Sequence, residues 1–233
     1  MIRELVLLAG GLATRLKPVT ETIPKSLIEV AGKPFIQIQL ELLKNKGIEK
    51  VVVCAGYLGE KIQEFVEDGS RFGTEVKYSF DGEKLLGTGG AIKQCLGMLS
   101  DEFFVMYGDS FLNTDFEIIN EYYQKNKKQG LMTVLKNEGK WDKSNIEFSD
   151  GKIQDYDKKS KNEKLQYIDY GLGILTRKAF EDFEEREVFD LEEVYRNLLK
   201  KNDLAGFEVK ERFYEIGSFT GLKETENYLS NNK

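Results

Sequence analysis

The apolar run Leu5 to Ala9 leads straight into Gly10-Gly11, and no other stretch constrains the fold of this chain as strongly. Five apolar residues running into two glycines read as a short buried strand. The two glycines at its C-terminal end permit a turn in which backbone N–H groups approach an anion. Strand and helix patterns then alternate. Pro34 opens a helix whose apolar positions Phe35, Ile38, Leu42 and Leu43 continue it to Gly47. Val51 to Cys54 reads as a second strand, followed by a helix over about Glu60 to Val66, a strand from Val76 to Phe80, a helix from Gly90 to Met98 and a strand from Phe103 to Tyr107. Such β-α-β alternation predicts a mainly parallel sheet with right-handed crossovers, and ligands in such sheets bind outside the C-terminal strand ends. Three segments fall on that edge: Gly10-Gly11, Leu86-Gly87-Thr88-Gly89-Gly90 and Gly108-Asp109-Ser110.

The second half is organised differently. A helix near Asp115 to Lys127 leads to a strand at Leu131 to Leu135, and strands Asn145–Phe148 and Ile153–Tyr156 flank an Asp150-Gly151 hairpin turn. A strand at Ile168 to Leu175 follows. An amphipathic helix from about Leu191 to Leu199 precedes two last strands and a C-terminal helix. With neither a repeat nor a linker-like stretch, the 233 residues read as one α/β domain. Lys158 to Lys164 reads as a solvated surface loop, and the prolines 18, 24 and 34 stiffen a long loop near the N-terminus.

Composition narrows the chemistry. The net charge of −6 argues against a nucleic-acid partner, so a polyanionic ligand must meet a local basic cluster. The chain has no histidine, which removes Ser-His-Asp and Cys-His nucleophile pairs and His-ligated metals. Its two cysteines, Cys54 and Cys95, lack C-x-x-C spacing. A metal in this chain would therefore be a hard cation on carboxylates, with Mg²⁺ the default. No signal-peptide pattern opens the sequence and no apolar run approaches the ~20 residues of a membrane span, so a cytoplasmic protein with no membrane partner is expected.

Arg15 and Lys25 add fixed positive charge beside the first glycine turn, where Arg15 suits a pyrophosphate as a bidentate donor and Lys25 acts as a point charge. Lys17 reads equally well as a surface lysine. The loop is neither a P-loop nor a dinucleotide fingerprint. Asp109 is pushed out at a strand end, and although such a position also suits a helix cap or Asx turn, the lack of histidine makes it the first candidate metal ligand.

Gly10-Gly11-Leu12-Ala13-Thr14-Arg15-Leu16 with Pro24-Lys25-Ser26-Leu27 resembles the G-G-x-x-x-R-L and P-K signature of sugar-1-phosphate nucleotidyltransferases. The resemblance covers essentially the whole chain and is specific over the first 110 residues. It implies a Rossmann-like three-layer fold of the nucleotide-diphospho-sugar transferase type, with a nucleotide-binding half over 1–112 and a sugar-phosphate-binding half over 113–233. It implies that Leu8, Ala9, Gly10, Gly11, Arg15, Gly87, Thr88, Gly89 and Asp109 meet the nucleotide, and that the glycines of 86–90 make room for planar rings. Ile153 to Lys158 resembles a segment ending in Glu-Lys-Pro, which implies that Asp157 and Lys158 meet the sugar phosphate together with Lys25. Here Asp157 replaces the glutamate and Lys159 the proline, so Lys159 and Lys161 compete for the role. Asp169-Tyr170-Gly171 resembles an Asn-Ala-Gly triplet that contacts the sugar. Phe213 to Ser218 resembles an aromatic-x-Asp-x-Gly-Thr element, which makes Glu215 the second metal ligand beside Asp109. The catalytic set implied is Arg15, Lys25 and Asp109.

Within the family the glycine turn and Gly108-Asp109-Ser110-Phe111 look most like heptose-1-phosphate guanylyltransferases, although Asp68 to Gly73 is similar to uridylyltransferases acting on N-acetylmuramic acid 1-phosphate. The expected partners are a nucleoside triphosphate and a sugar 1-phosphate, narrowly GTP and a heptose or mannose 1-phosphate, and a homo-oligomer is compatible with the sequence. Uridylyl or cytidylyl transfer to another sugar phosphate or a non-sugar phosphate, a metal-dependent glycosyltransferase and a catalytically silent nucleotide-sugar sensor remain alternatives.

Overall fold

The computed structural model describes every residue except Ala13, Ser160, Lys161 and Lys233. Lys161, one of the competing lysines, and part of the expected 158–164 surface loop thus lie outside the described residues. Strand β1 (Glu4–Leu8) is followed by the short strands β2 (Glu29–Val30) and β3 (Lys33–Pro34) and by helix α1 (Phe35–Asn45). Strand β4 (Lys50–Ala55), helix α2 (Gly59–Val66), strand β5 (Glu75–Phe80), helix α3 (Gly87–Cys95) and strand β6 (Glu102–Tyr107) complete the alternating half. Next come β7 (Ser110–Phe111), α4 (Phe116–Asn126), β8 (Gly130–Lys136), β9 (Ile146–Ser149), β10 (Lys152–Tyr156) and the long β11 (Tyr167–Thr176). Helix α5 (Leu191–Lys200), β12 (Leu204–Val209), β13 (Tyr214–Glu215) and α6 (Phe219–Asn231) close the chain.

Strands β5, β4, β1 and β6 lie side by side and parallel, as the alternation predicts. Beyond β6 the sheet reverses: β11 runs antiparallel to both β6 and β8, and β12 joins β8 in parallel. The β9–β10 hairpin meets the start of β11 at Tyr167. The result is an α/β fold with a mixed sheet whose first half is parallel.

Period-2 alternation distributes each strand between two cores. Leu5 and Leu7 of β1 and Val51 and Val53 of β4 enter the core built with α1, α2 and α4. Val6, Val52 and Cys54 point the other way, into the core built with α3 and α5. This makes three layers. A third, smaller cluster joins Val30, Phe35, Phe111 and Ile216, with Leu222, Tyr228 and Leu229 of α6 packed on it. Through this cluster the C-terminal helix packs on β2, α1 and β7, just past the end of β6.

One expected element is corrected. The glycine turn 87–90 does not precede its helix but forms the helix's first turn, so α3 starts three residues before the sequence suggested. The reason is steric. A Cβ on Gly89 would lie 2.4 Å from the Phe189 ring, and one on Gly90 would lie 2.2 Å from the Glu187 carbonyl oxygen. These two glycines let the segment before α5 press onto α3, rather than opening space for a ligand.

Candidate active site

The C-terminal edge of the parallel strands holds a cavity of about 260 Å³ lined by Leu8, Ala9, Gly10, Gly11, Lys25, Gly87, Thr88, Tyr107 and Asp109, together with Asp81, Leu85 and Asp190. All three edge segments therefore meet, as the switch of topology beside β1 favours. Gly89 is the exception: it is turned toward Phe189 and does not line the cavity. Gly87 adopts φ +73°, a conformation that favours glycine. Thr88 Oγ1 accepts a hydrogen bond from Leu191 N at 2.8 Å, so this hydroxyl ties the cavity wall to the start of α5.

A second cavity of about 230 Å³ is lined by Arg15, Tyr107, Asp109, Ser110, Trp141, Asp142, Asp169, Tyr170, Gly171, Phe213, Glu215 and Ser218, with Ile168. Tyr107 and Asp109 line both cavities and form their common wall. Asp169 and Gly171 are set by an irregularity in β11, where the pairing with β8 shifts between Asp169 and Gly173. Gly171 has φ +94°, and its N–H donates to Asp169 Oδ1 at 3.0 Å. Bulges of this kind re-aim side chains next to functional sites.

Asp109 is held from several directions. Lys25 Nζ lies 2.7 Å from its Oδ2, and Ile216 N donates to its carbonyl at 2.9 Å. Gln39, fully buried on α1, donates to the Tyr107 and Ser110 carbonyls at 3.3 and 2.9 Å and so pins the turn that carries Asp109. Sequence reasoning missed Gln39. Its signal is an amide on the apolar face of α1, where a polar group needs a buried partner.

Antiparallel pairing of β7 with β13 sets Glu215 opposite Ser110 and therefore beside Asp109. The Glu215 carboxylate accepts from Gly217 N and from Ser218 Oγ, the latter at 2.7 Å, while Thr225 Oγ1 of α6 donates to the Glu215 carbonyl at 2.8 Å. The carboxylate thus rests at the N-terminus of α6, where negative charge is favoured. A Cβ on Gly217 would meet Glu215 Oε2 at 2.7 Å, an Arg15 guanidinium nitrogen at 3.0 Å and Asp109 Oδ2 at 3.3 Å. Arg15, Asp109 and Glu215, separated by up to 200 residues in sequence, therefore converge on one point.

The two cations expected beside the first glycine turn line different cavities. Lys25, expected on the acceptor phosphate, lines the first cavity and pairs with Asp109, while Arg15, expected on the nucleotide, lines the second, across Gly217 from Asp109. Lys158 Nζ lies 3.5 Å from Tyr107 Oη and 5.6 Å from the centre of that ring, which brings its charge beside the wall the two cavities share. Asp157 lines neither cavity; its N–H donates to the Asn145 carbonyl and its Oδ1 accepts from Lys159 N. Tyr170 lines the second cavity but its side chain is buried, edge-on to Phe213.

The electrostatics follow from burial. Desolvation, then the charge of Asp169, pushes the Tyr107 phenol well above its ordinary range, so it stays a neutral donor, 3.5 Å from Asp169 Oδ2. Tyr156 Oη lies 3.2 Å from the same carboxylate oxygen, and burial raises its pKa as well. Asp81, at the end of β5, also went unnoticed in the sequence. Desolvation raises its pKa, offset only by a 3.3 Å hydrogen bond from Leu86 N.

Among the described residues no cluster of three or more His, Cys, Asp or Glu could hold a metal. Asp109 and Glu215 nevertheless offer two hard carboxylates to one space. That set suits a cation which takes one or two carboxylates and completes its shell with water and phosphate oxygens.

Residues 4–232 match the family model described as nucleotidyl transferase. The chain belongs to the nucleotidyl transferase family. It is 33% identical over 217 residues to a D-glycero-alpha-D-manno-heptose 1-phosphate guanylyltransferase from Campylobacter jejuni, covering 92% of this chain and 94% of that one. It is 27% identical to the mannose-1-phosphate guanylyltransferase catalytic subunit beta of Xenopus tropicalis, covering 91% of this chain but only 60% of that protein. The crystal structure of HddC from Yersinia pseudotuberculosis superposes with a TM-score of 0.82 at 24% identity, covering 98% of this chain and all of that one, a likeness of fold. Among the described residues no helix is long and apolar enough to cross a membrane.

Proposed function

We propose that the chain joins a nucleoside triphosphate to a sugar 1-phosphate, giving an NDP-sugar and pyrophosphate, with GTP and a heptose or mannose 1-phosphate as the pair. The observation that carries this reading is the convergence of Arg15, Asp109 and Glu215, with Lys25 on Asp109, at the wall shared by two cavities. The nucleotide occupies the first cavity and the acceptor the second, so the α-phosphorus and the attacking phosphate oxygen meet at Asp109. That oxygen is already anionic near neutral pH, so the attack needs no general base and the lack of histidine is no handicap. What remains is to position two polyanions and offset their repulsion.

Arg15 supplies fixed positive charge to the transferring and departing phosphates, and Lys158 holds the acceptor phosphate beside the shared wall. Lys25 exchanges its ion pair with Asp109 for phosphate oxygens when substrates bind. Asp109 and Glu215 would hold Mg²⁺, which supplies charge neutralisation between the phosphates. Asp81 supports guanine: its carboxylate, with a single long hydrogen bond in a desolvated cavity, matches the adjacent N1–H and N2–H₂ donors of that base, whereas the same edge of uracil or thymine carries only one donor. We assign residues 1–112 mainly to the nucleotide and 113–233 mainly to the sugar phosphate, with Asp190 lining the nucleotide cavity and Arg15 meeting the transferring phosphates from the side of the second cavity.

A pyrophosphate-release screen that crosses the nucleoside triphosphates with sugar 1-phosphates tests the reading. Turnover should depend on Mg²⁺ or Mn²⁺ and vanish in excess chelator, and Asp109→Asn should lower kcat by about 10² or more at an unchanged melting temperature. No pyrophosphate from any pair, or full activity in chelator, overturns it.

A further inference from the structure

Trp141 and Asp142 lie on the loop between β8 and β9, outside every motif the family resemblance uses, yet both line the second cavity. The loop is built rather than slack. Asn137, fully buried, accepts from Trp141 N at 3.2 Å and donates through Nδ2 to the Asp142 carbonyl at 2.6 Å and to Ser144 Oγ at 3.0 Å. The indole packs edge-on to Phe213, with ring centres 6.2 Å apart, and the Arg212 guanidinium sits 5.2 Å from its centre. A large ring held this way at a cavity wall is nonetheless 38% exposed. Such a ring presents rigid apolar area at small entropic cost.

A pyranose ring has one face of C–H bonds and a rim of hydroxyl donors, and this wall offers a counterpart to each. Resting on the assignment of the second cavity to the acceptor, we propose that Trp141 stacks on the acceptor's sugar ring while Asp142 accepts from its hydroxyls, so that the loop selects neutral, polyhydroxylated sugars. Asp142 and Asp169 both bring carboxylates to the lining of this cavity. A carboxylate on the sugar body meets like charge there, which disfavours uronic or lactyl-bearing acceptors.

Trp141 is the chain's one tryptophan, so its emission reports directly on the cavity. Mannose 1-phosphate, added to the Mg²⁺-loaded protein with a non-hydrolysable GTP analogue, should change that emission saturably, and inorganic phosphate should not. In steady-state assays Trp141→Ala should raise the KM for mannose 1-phosphate about tenfold or more, leave kcat and the KM for GTP within about twofold, and be largely restored by Trp141→Phe. Glucose 1-phosphate should exceed glucuronic acid 1-phosphate about tenfold in kcat/KM, and Asp142→Asn should narrow that ratio. Turnover with an unmoved acceptor KM in Trp141→Ala, or an emission change produced equally by phosphate, overturns the stacking role alone. If no sugar 1-phosphate reacts with any nucleoside triphosphate, the assignment of the cavity fails and the inference falls with it.

Discussion

At the scale of single residues the site is a contest between charge and desolvation, and Asp81 shows the sign most clearly. Burial raises its pKa above that of the unfolded chain, so the native state holds a proton there more tightly than the unfolded state does. Its effect on stability is therefore least unfavourable at low pH, and the cost grows as pH rises from the unfolded pKa, about 3.9, through the higher folded one. Asp81→Asn should raise the melting temperature of the ligand-free protein at pH 7, and the gap to wild type should close as pH falls toward 4. The same variant should lose GTP preference over UTP, because an amide cannot accept two donors from guanine in the way a carboxylate does. Melting curves across pH with a GTP:UTP kcat/KM ratio check both parts, and a variant less stable than wild type at pH 7 refutes the first. Asp109 was legible from sequence because a strand end exposes it, and Glu215 through its place in the Phe213–Ser218 element. Gln39 and Asp81 were not, since nothing along the chain announces which buried amide or carboxylate will face a cavity.

Helices and strands were legible where one period dominates, and α1, α5 and β1 lie where their apolar spacing puts them, within a few residues. The boundary of α3 was not legible, because a run of glycines has no period and low helix propensity. Tertiary packing overrides that propensity: the first turn of α3 is helical because the segment 187–190 covers it and Gly89 and Gly90 accept that contact. Gly90→Ala therefore sets two effects against each other. Alanine gains about 1 kcal/mol in helix propensity, yet its Cβ would lie 2.2 Å from a backbone carbonyl oxygen that has no flexible side chain to move. Overpacking of this kind costs about 1–3 kcal/mol or more, so the clash should win and lower the melting temperature by several degrees. Gly97, whose Cβ would meet nothing within 4 Å, provides the control, and Gly97→Ala should melt at or slightly above wild type. Calorimetry on the pair separates the steric account from propensity, since propensity alone would stabilise both.

At the scale of the whole molecule the parallel half was readable because local pairs of strand and helix repeat, whereas the antiparallel extension through β11, β8 and β12 depends on contacts between distant segments. The meeting of Arg15 with Glu215 belongs to this second kind. It exists only because α6 returns the C-terminus to α1 and β7, just past the end of β6. Composition, by contrast, acts on mechanism without any folding argument. With no histidine in the chain, a covalent nucleotidyl-enzyme would need another nucleophile. The hydrogen bond between Cys54 and Cys95, 3.7 Å apart, and then burial push the Cys54 thiol well above its ordinary range, so a thiolate there is strongly disfavoured. Lys25 holds its charge against Asp109 at 2.7 Å, which suits a fixed cation rather than an attacking amine. The two cavities also share a wall, so both substrates can be present at once and nothing requires the nucleotidyl group to be stored on the protein. Direct single displacement is therefore expected. Exchange of labelled pyrophosphate into the nucleoside triphosphate should then occur only when sugar 1-phosphate or NDP-sugar is present, because only the complete reaction runs backward. Rapid exchange with the triphosphate alone, or label that stays on the protein through denaturation, would establish a covalent intermediate in its place.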